Sequence, residues 1–108
     1  AMKCALELGF RDSTIEVVRR LVEEFTGASC EERYSDYRGG DYFIGIGNGE
    51  EVRIQHNRDI GDELAEEDYP DVTVLVSFDP TTRPDDIKEN FARNANCTVI
   101  REQKYPDS

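Results

Sequence analysis

Histidine occurs once, at His56, tryptophan is absent, and the three cysteines (Cys4, Cys30, Cys97) form no C-x-x-C pair. Each shortage excludes something. A metal centre needs three or four convergent ligands, and no His/Cys spacing here offers them. An odd cysteine count without paired spacing argues against a disulfide framework and suits a reducing cytoplasm; a leftover reactive thiol is the other reading. A Cys–His nucleophile pair would need a thiol beside His56, but Cys4 falls on a predicted core position and Cys97 opens a predicted strand. His56 therefore reads as a plain strand-end residue. Basic residues are also scarce, at 13 Lys+Arg against 24 Asp+Glu, a formal net charge of −11. That balance excludes sequence-independent nucleic-acid binding and anionic membrane surfaces, both of which need a basic footprint. No apolar run nears the roughly 18 residues of a membrane helix. No charged-then-apolar leader is visible, so a cytoplasmic location is expected. Ala1 ahead of Met2 reads as a residue left by cloning, with the natural start at Met2.

What is present fits one domain over residues 1–108, a length that can bury a core without staples. Met2, Cys4, Leu6, Leu8 and Phe10 alternate with polar or small residues, the period of a half-buried strand. Ser13-Thr14-Ile15-Glu16 then has the form of a capping box, with Ser13 as N-cap. Ile15, Val18, Leu21, Val22 and Phe25 continue at helical spacing as one apolar stripe. Glu16/Arg20, Arg19/Glu23 and Arg20/Glu24 form i,i+4 pairs on the wet side. Gly27 supplies the left-handed stop.

Residues 30–34 suggest a short strand and 37–41 a turn. Tyr42 to Asn57 reads as a hairpin whose loop length follows from parity. Pairing across a two-residue Asn48-Gly49 loop would set Ile44 and Ile46 opposite Arg53 and Glu51. A three-residue loop, Gly47-Asn48-Gly49, instead places Tyr42, Ile44 and Ile46 on the face of Val52 and Ile54. The three-residue loop is the expectation. Gly45-Ile46-Gly47-Asn48-Gly49 also imitates a phosphate-binding glycine loop, but a β-arm follows it where that chemistry requires a helix N-terminus.

Val72, Val74, Val76 and Phe78 alternate, and Leu75 makes the second face partly apolar, so this strand should be central. Residues 79–82 read as a loop. Thr82 and Pro84 open a second helix with Ile87, Phe91 and Ala95 on its buried side and Asn94 and Asn96 at its end. Residues 97–101 read as a final strand and 104–108 as a flexible tail. The order is β-α-(β)-β-β-β-α-β. The expected fold class is α+β, a two-layer sandwich with an antiparallel or mixed sheet and two helices on one face.

The segment from Asp59 to Asp71 holds seven acids and no base. Outside it the chain has 17 acids and 13 bases, so most of the charge belongs to these 13 residues. Residues 62–67 suggest a short helix capped by Asp62 and ended by Tyr69-Pro70. The calcium-loop register D-x-D-x-D-G is absent, no pair of carboxylates is singled out for catalysis, and neither catalytic residues nor cofactors are expected. Two readings remain. Asp59, Asp62, Glu63, Glu66, Glu67, Asp68 and Asp71 are either a solvated loop or the charged rim of a docking surface with Ile60, Leu64 and Tyr69 as anchors. Glu31, Glu32, Tyr34, Asp36, Tyr37 and Asp41 make a second candidate patch.

A small acidic α+β chain with a dense acidic loop, a Tyr/acid segment at 31–42 and no catalytic constellation resembles the immunity proteins that neutralise bacterial toxins, often basic nucleases. The resemblance lies in architecture and charge. It implies a non-enzymatic protein bound tightly to a basic toxin domain, with steering setting the association rate and anchors the dissociation rate. The alternative is a small-molecule-binding regulatory domain acting as a homodimer, since fold does not fix function.

Overall fold

The computed structural model describes residues 2–47, 49–59 and 61–106. Six strands and two helices follow in the order β1 (Met2–Arg11), α1 (Ile15–Thr26), β2 (Glu31–Ser35), β3 (Gly40–Gly47), β4 (Glu50–His56), β5 (Val72–Thr81), α2 (Pro84–Phe91) and β6 (Cys97–Pro106), with a 3-10 turn at Asp36–Arg38. The strands form one antiparallel sheet in the order β2-β3-β4-β5-β1-β6. Both helices pack on one face, so the α+β sandwich anticipated from the sequence is the observed architecture.

Alternation dictates the core. Cys4, Leu6, Leu8 and Phe10 of β1 meet Val74, Val76 and Phe78 of β5 and Val52 and Ile54 of β4 on the helix side. Phe91 of α2 closes this layer, with its ring 5.8 Å from Phe10, 5.5 Å from Phe25 and 6.3 Å from Phe78. Edge and tilted contacts of this kind suit the ring quadrupoles. The stripe of α1 buries Ile15, Val18 and Val22, and Gly27 ends the helix at φ 74°. β5 is interior to the sheet, and Leu75 is buried on the face opposite the helices.

Several local expectations are corrected. The N-cap of α1 is Thr14, whose hydroxyl accepts from the Val17 amide; Val17 occupies the third helical position, so no capping box closes. Ser13 is used elsewhere: its hydroxyl donates to the Arg11 carbonyl and accepts from the Asn96 amide.

The β3–β4 hairpin pairs Gly47 with Glu50, Gly45 with Val52 and Phe43 with Ile54, so the loop has two residues, not three. Asn48 lies outside the described residues, and Gly49 has φ 76°. The inward residues of β3 are Phe43 and Gly45, while Ile46 is 73 % exposed. Gly45 belongs inside because a Cβ there would lie 2.9 Å from Cys30 Sγ and 3.3 Å from a Val52 methyl. The neighbours supply the bulk that the glycine lacks.

No helix forms over 62–67; the segment is a series of turns, and Asp62 has φ 61°, a left-handed value unsuited to an N-cap. β5 continues through residues 79–81, with a cis Asp79–Pro80 bond, where a loop was expected. Pro84 does open α2, but the helix stops at Phe91, before Asn94, and Ala95 is exposed beyond it. β6 runs to Pro106: Lys104, Tyr105 and Pro106 pair with Cys4, Lys3 and Met2, so these residues are ladder and not tail. Residues 107 and 108 lie outside the described residues.

Candidate functional site

Seven clustered carboxylates repel one another unless the fold partners them, and it partners three with arginines. Asp71 receives the Arg11 side chain at 2.5 Å, Glu66 receives Arg101 at 3.1 Å and Asp62 lies 3.5 Å from Arg58. Glu63, Glu67 and Asp68 are exposed, and their side chains form no ion pair among the described residues. Leu64 and Tyr69 are half-buried, which ties the segment to the body of the domain. Ile60, the third expected anchor, lies outside the described residues.

The segment is held mainly by a residue that the sequence does not advertise. Asn57, buried directly after β4, donates from its side-chain amide to the carbonyls of Tyr69 (3.1 Å) and Val72 (3.0 Å). Its Oδ1 accepts from the Glu66 amide at 2.8 Å. One side chain thus satisfies two backbone groups of the segment, at Glu66 and Tyr69, and one at the start of β5, while turn bonds from the Asp59, Asp62 and Tyr69 amides serve others.

At the near end of the segment the two acidic patches meet. A groove of about 320 Å³ is lined by Tyr34, Asp36, Gly39 and Gly40 on one side and by Asp59, Gly61 and Asp62 on the other. The contact depends on Gly39, which sits at φ 76° with Arg58 so close that a Cβ would lie 2.7 Å from the Arg58 Cβ. Only glycine permits both that dihedral and that approach. Tyr34, 69 % exposed, donates its hydroxyl to Asp36 at 2.6 Å. That hydrogen bond, with the Asp36 charge, raises the Tyr34 pKa and keeps the phenol protonated. Asp59 Oδ1 is buried without a hydrogen-bond partner among the described residues, leaving an unused acceptor at the groove wall. Tyr37, 74 % exposed, and Asp41, paired across the ladder with Tyr34, stand nearby. Glu31 and Glu32 lie exposed on β2, the edge strand.

Chemically the groove is an aromatic wall with three carboxylates, suited to an ammonium or guanidinium group. No group of three or more His, Cys, Asp or Glu among the described residues has metal-binding geometry. His56 ends β4 as expected. Cys4 is buried and Cys30 and Cys97 are half-buried: burial pushes Cys97 up to about 11, and burial with the Glu23 charge does the same for Cys30.

A second cluster was missed by sequence reasoning. Glu7, facing away from the helices on β1, is bridged by Arg101 of β6 to Glu66, with contacts of 2.9 and 3.1 Å. Alternation placed Glu7 outward, but nothing local signalled that Glu66, 59 positions later, would join it.

No helix among the described residues is long and apolar enough to cross a membrane. No protein-family model matches the chain, and neither a curated protein nor a solved structure matches it.

Proposed function

We propose that the chain is a protein-binding module whose acidic, tyrosine-walled groove receives basic side chains of a protein partner. We further propose that it acts as an immunity protein that binds and neutralises a basic toxin domain. One observation carries the reading: two acidic segments distant in sequence converge on a single groove at Tyr34, Asp36, Asp59 and Asp62. A merely solvated loop would not require that convergence. Exposed Glu63, Glu67 and Asp68 on the adjoining segment extend the negative field that would steer a cationic partner. Arg101 and Arg11 hold Glu66 and Asp71 at 3.1 and 2.5 Å, whereas Asp62, 3.5 Å from Arg58, makes the longest of the three contacts and is 90 % exposed.

The test is capture of the product of the adjacent gene, followed by association rates across a salt series. The expected result is an association that slows steeply with salt, and about tenfold or more at low salt when Asp36→Asn and Asp62→Asn are combined with Tyr34→Ala. A salt-independent rate that the triple variant leaves unchanged would sink the reading. A stable homodimer whose melting temperature rises with a small metabolite would replace it with the ligand-domain alternative.

A further inference from the structure

We infer that Glu7, Glu66 and Arg101 form a proton-operated latch, which fastens the 57–71 segment to the outer face of the sheet when one carboxyl is protonated and loosens it when both are ionised. The geometry spans three parts of the chain. Glu7 is on β1, Arg101 is on β6, and Glu66 is on the segment that carries Asp59 and Asp62 to the groove. Arg101 Nη1 contacts Glu7 at 2.9 Å and Glu66 at 3.1 Å, and Nη2 reaches Glu66 at 3.4 Å. Both carboxyl side chains are largely covered, 18 % and 16 % exposed, whereas Arg101 is 59 % exposed.

Two carboxylates therefore share one arginine. With one proton between them the cluster is neutral, and a protonated Glu7 can donate to Glu66. Without that proton it carries a net negative charge in a covered site. Burial first, then the hydrogen bond and charge of Glu66, push the Glu7 pKa up to about 7 against the pull of Arg101.

The other groups facing the cluster do not cancel this. From the segment Tyr69 adds its phenol near Arg101. From β5 come neutral Ser77 and Asp79, which line the cleft beside Glu7, and Asp79 already accepts the Tyr105 hydroxyl. From β4 comes Arg53, paired across the ladder with Ser77 and itself within 3.6 Å of Glu51. The remaining neighbours thus add the carboxylates of Asp79 and Glu51 and one arginine, Arg53, which lies against Glu51.

The latch is read without any binding partner, so its failure and the failure of the docking proposal are separate events. In the unaltered protein, the Glu7 carboxyl resonance followed by NMR should titrate near 7. A midpoint near the ordinary glutamate value of about 4.3 would overturn the latch. Amide exchange at Glu66 to Tyr69, corrected for intrinsic rates, should lose about tenfold in protection between roughly pH 6 and 8. Glu7→Gln, which keeps the donor and removes the charge, should hold that protection across the same range. A variant that loses protection in parallel with the unaltered protein refutes the mechanism. If the variant does not fold, the Glu7 titration decides alone.

Discussion

Replacing Asn57 tests whether the acidic segment is a built part of the domain. Asn57→Ala removes two donated hydrogen bonds, to Tyr69 and Val72, and one accepted from Glu66. Each is worth about 1 kcal/mol net, and a buried N–H left unpaired costs about 1–3 kcal/mol more. Water entering the vacated space recovers part of this, so the expected loss is about 3 kcal/mol, a large share of a typical total of roughly 5–15 kcal/mol. Asn57→Asp has the same shape but sets a carboxylate oxygen against two carbonyls. It should therefore be worse than alanine at neutral pH. Its penalty should ease in acid, where the folded variant holds a proton that the unfolded chain has already lost. Urea denaturation gives the free energies, and amide exchange at Glu66 shows where protection is lost. The reasoning fails if Asn57→Ala stays within about 0.5 kcal/mol of the parent and Asn57→Asp is no worse than alanine.

Three further outcomes are expected. Glu50 is buried and receives both Arg83 Nη2 (2.8 Å) and Nε (3.0 Å), with Thr81 donating at 2.5 Å; Arg83→Met should cost about 3 kcal/mol in denaturation, and Glu50→Met on that background should recover part of it. Burial works against the Glu50 charge, but those hydrogen bonds outweigh it and hold its pKa below the ordinary value, so its contribution should be full above about pH 4.5 and fade as pH falls through the lowered pKa. Gly45→Ala should destabilise by about 1–3 kcal/mol through the Cys30 contact at 2.9 Å, and Cys30→Ala should relieve most of the loss in melting temperature. Cys30 and Cys97, with thiols near 11, should resist alkylation at neutral pH about tenfold or more relative to the urea-unfolded chain, as read by mass spectrometry.

The elements legible in the sequence were those whose signal is local. β1, α1 and β5 each declare their period over seven or more residues, and their buried faces match except at Met2, which is 55 % exposed at the start of β1. β3 misled because two isoleucines outvoted Phe43 in the parity argument, while the second inward position, Gly45, has no side chain to register. Its burial is explained only by Cys30 and Val52. The absent helix over 62–67 has a related cause. Its Glu66 amide is satisfied by Asn57, which no window on the acidic segment contains, and other groups by turn bonds such as that from the Asp59 amide to the Glu63 carbonyl. Both acidic patches were visible separately. Their meeting depends on Gly39 against Arg58, and the Glu7–Arg101–Glu66 bridge on three separated segments, contacts without a local trace.

The strand order carries a consequence for how the domain is made. β1 precedes every other described strand, yet both its neighbours, β5 and β6, begin 60 or more positions beyond its own last residues. A growing chain can close β2, β3 and β4 while Cys4, Leu6, Leu8 and Phe10 still wait with both ladder edges open. Pairing of such long range is slow to form, and an apolar strand left open meanwhile invites wrong partners. The time between synthesis of β1 and completion of β5 is the interval in which this chain is most exposed to aggregation.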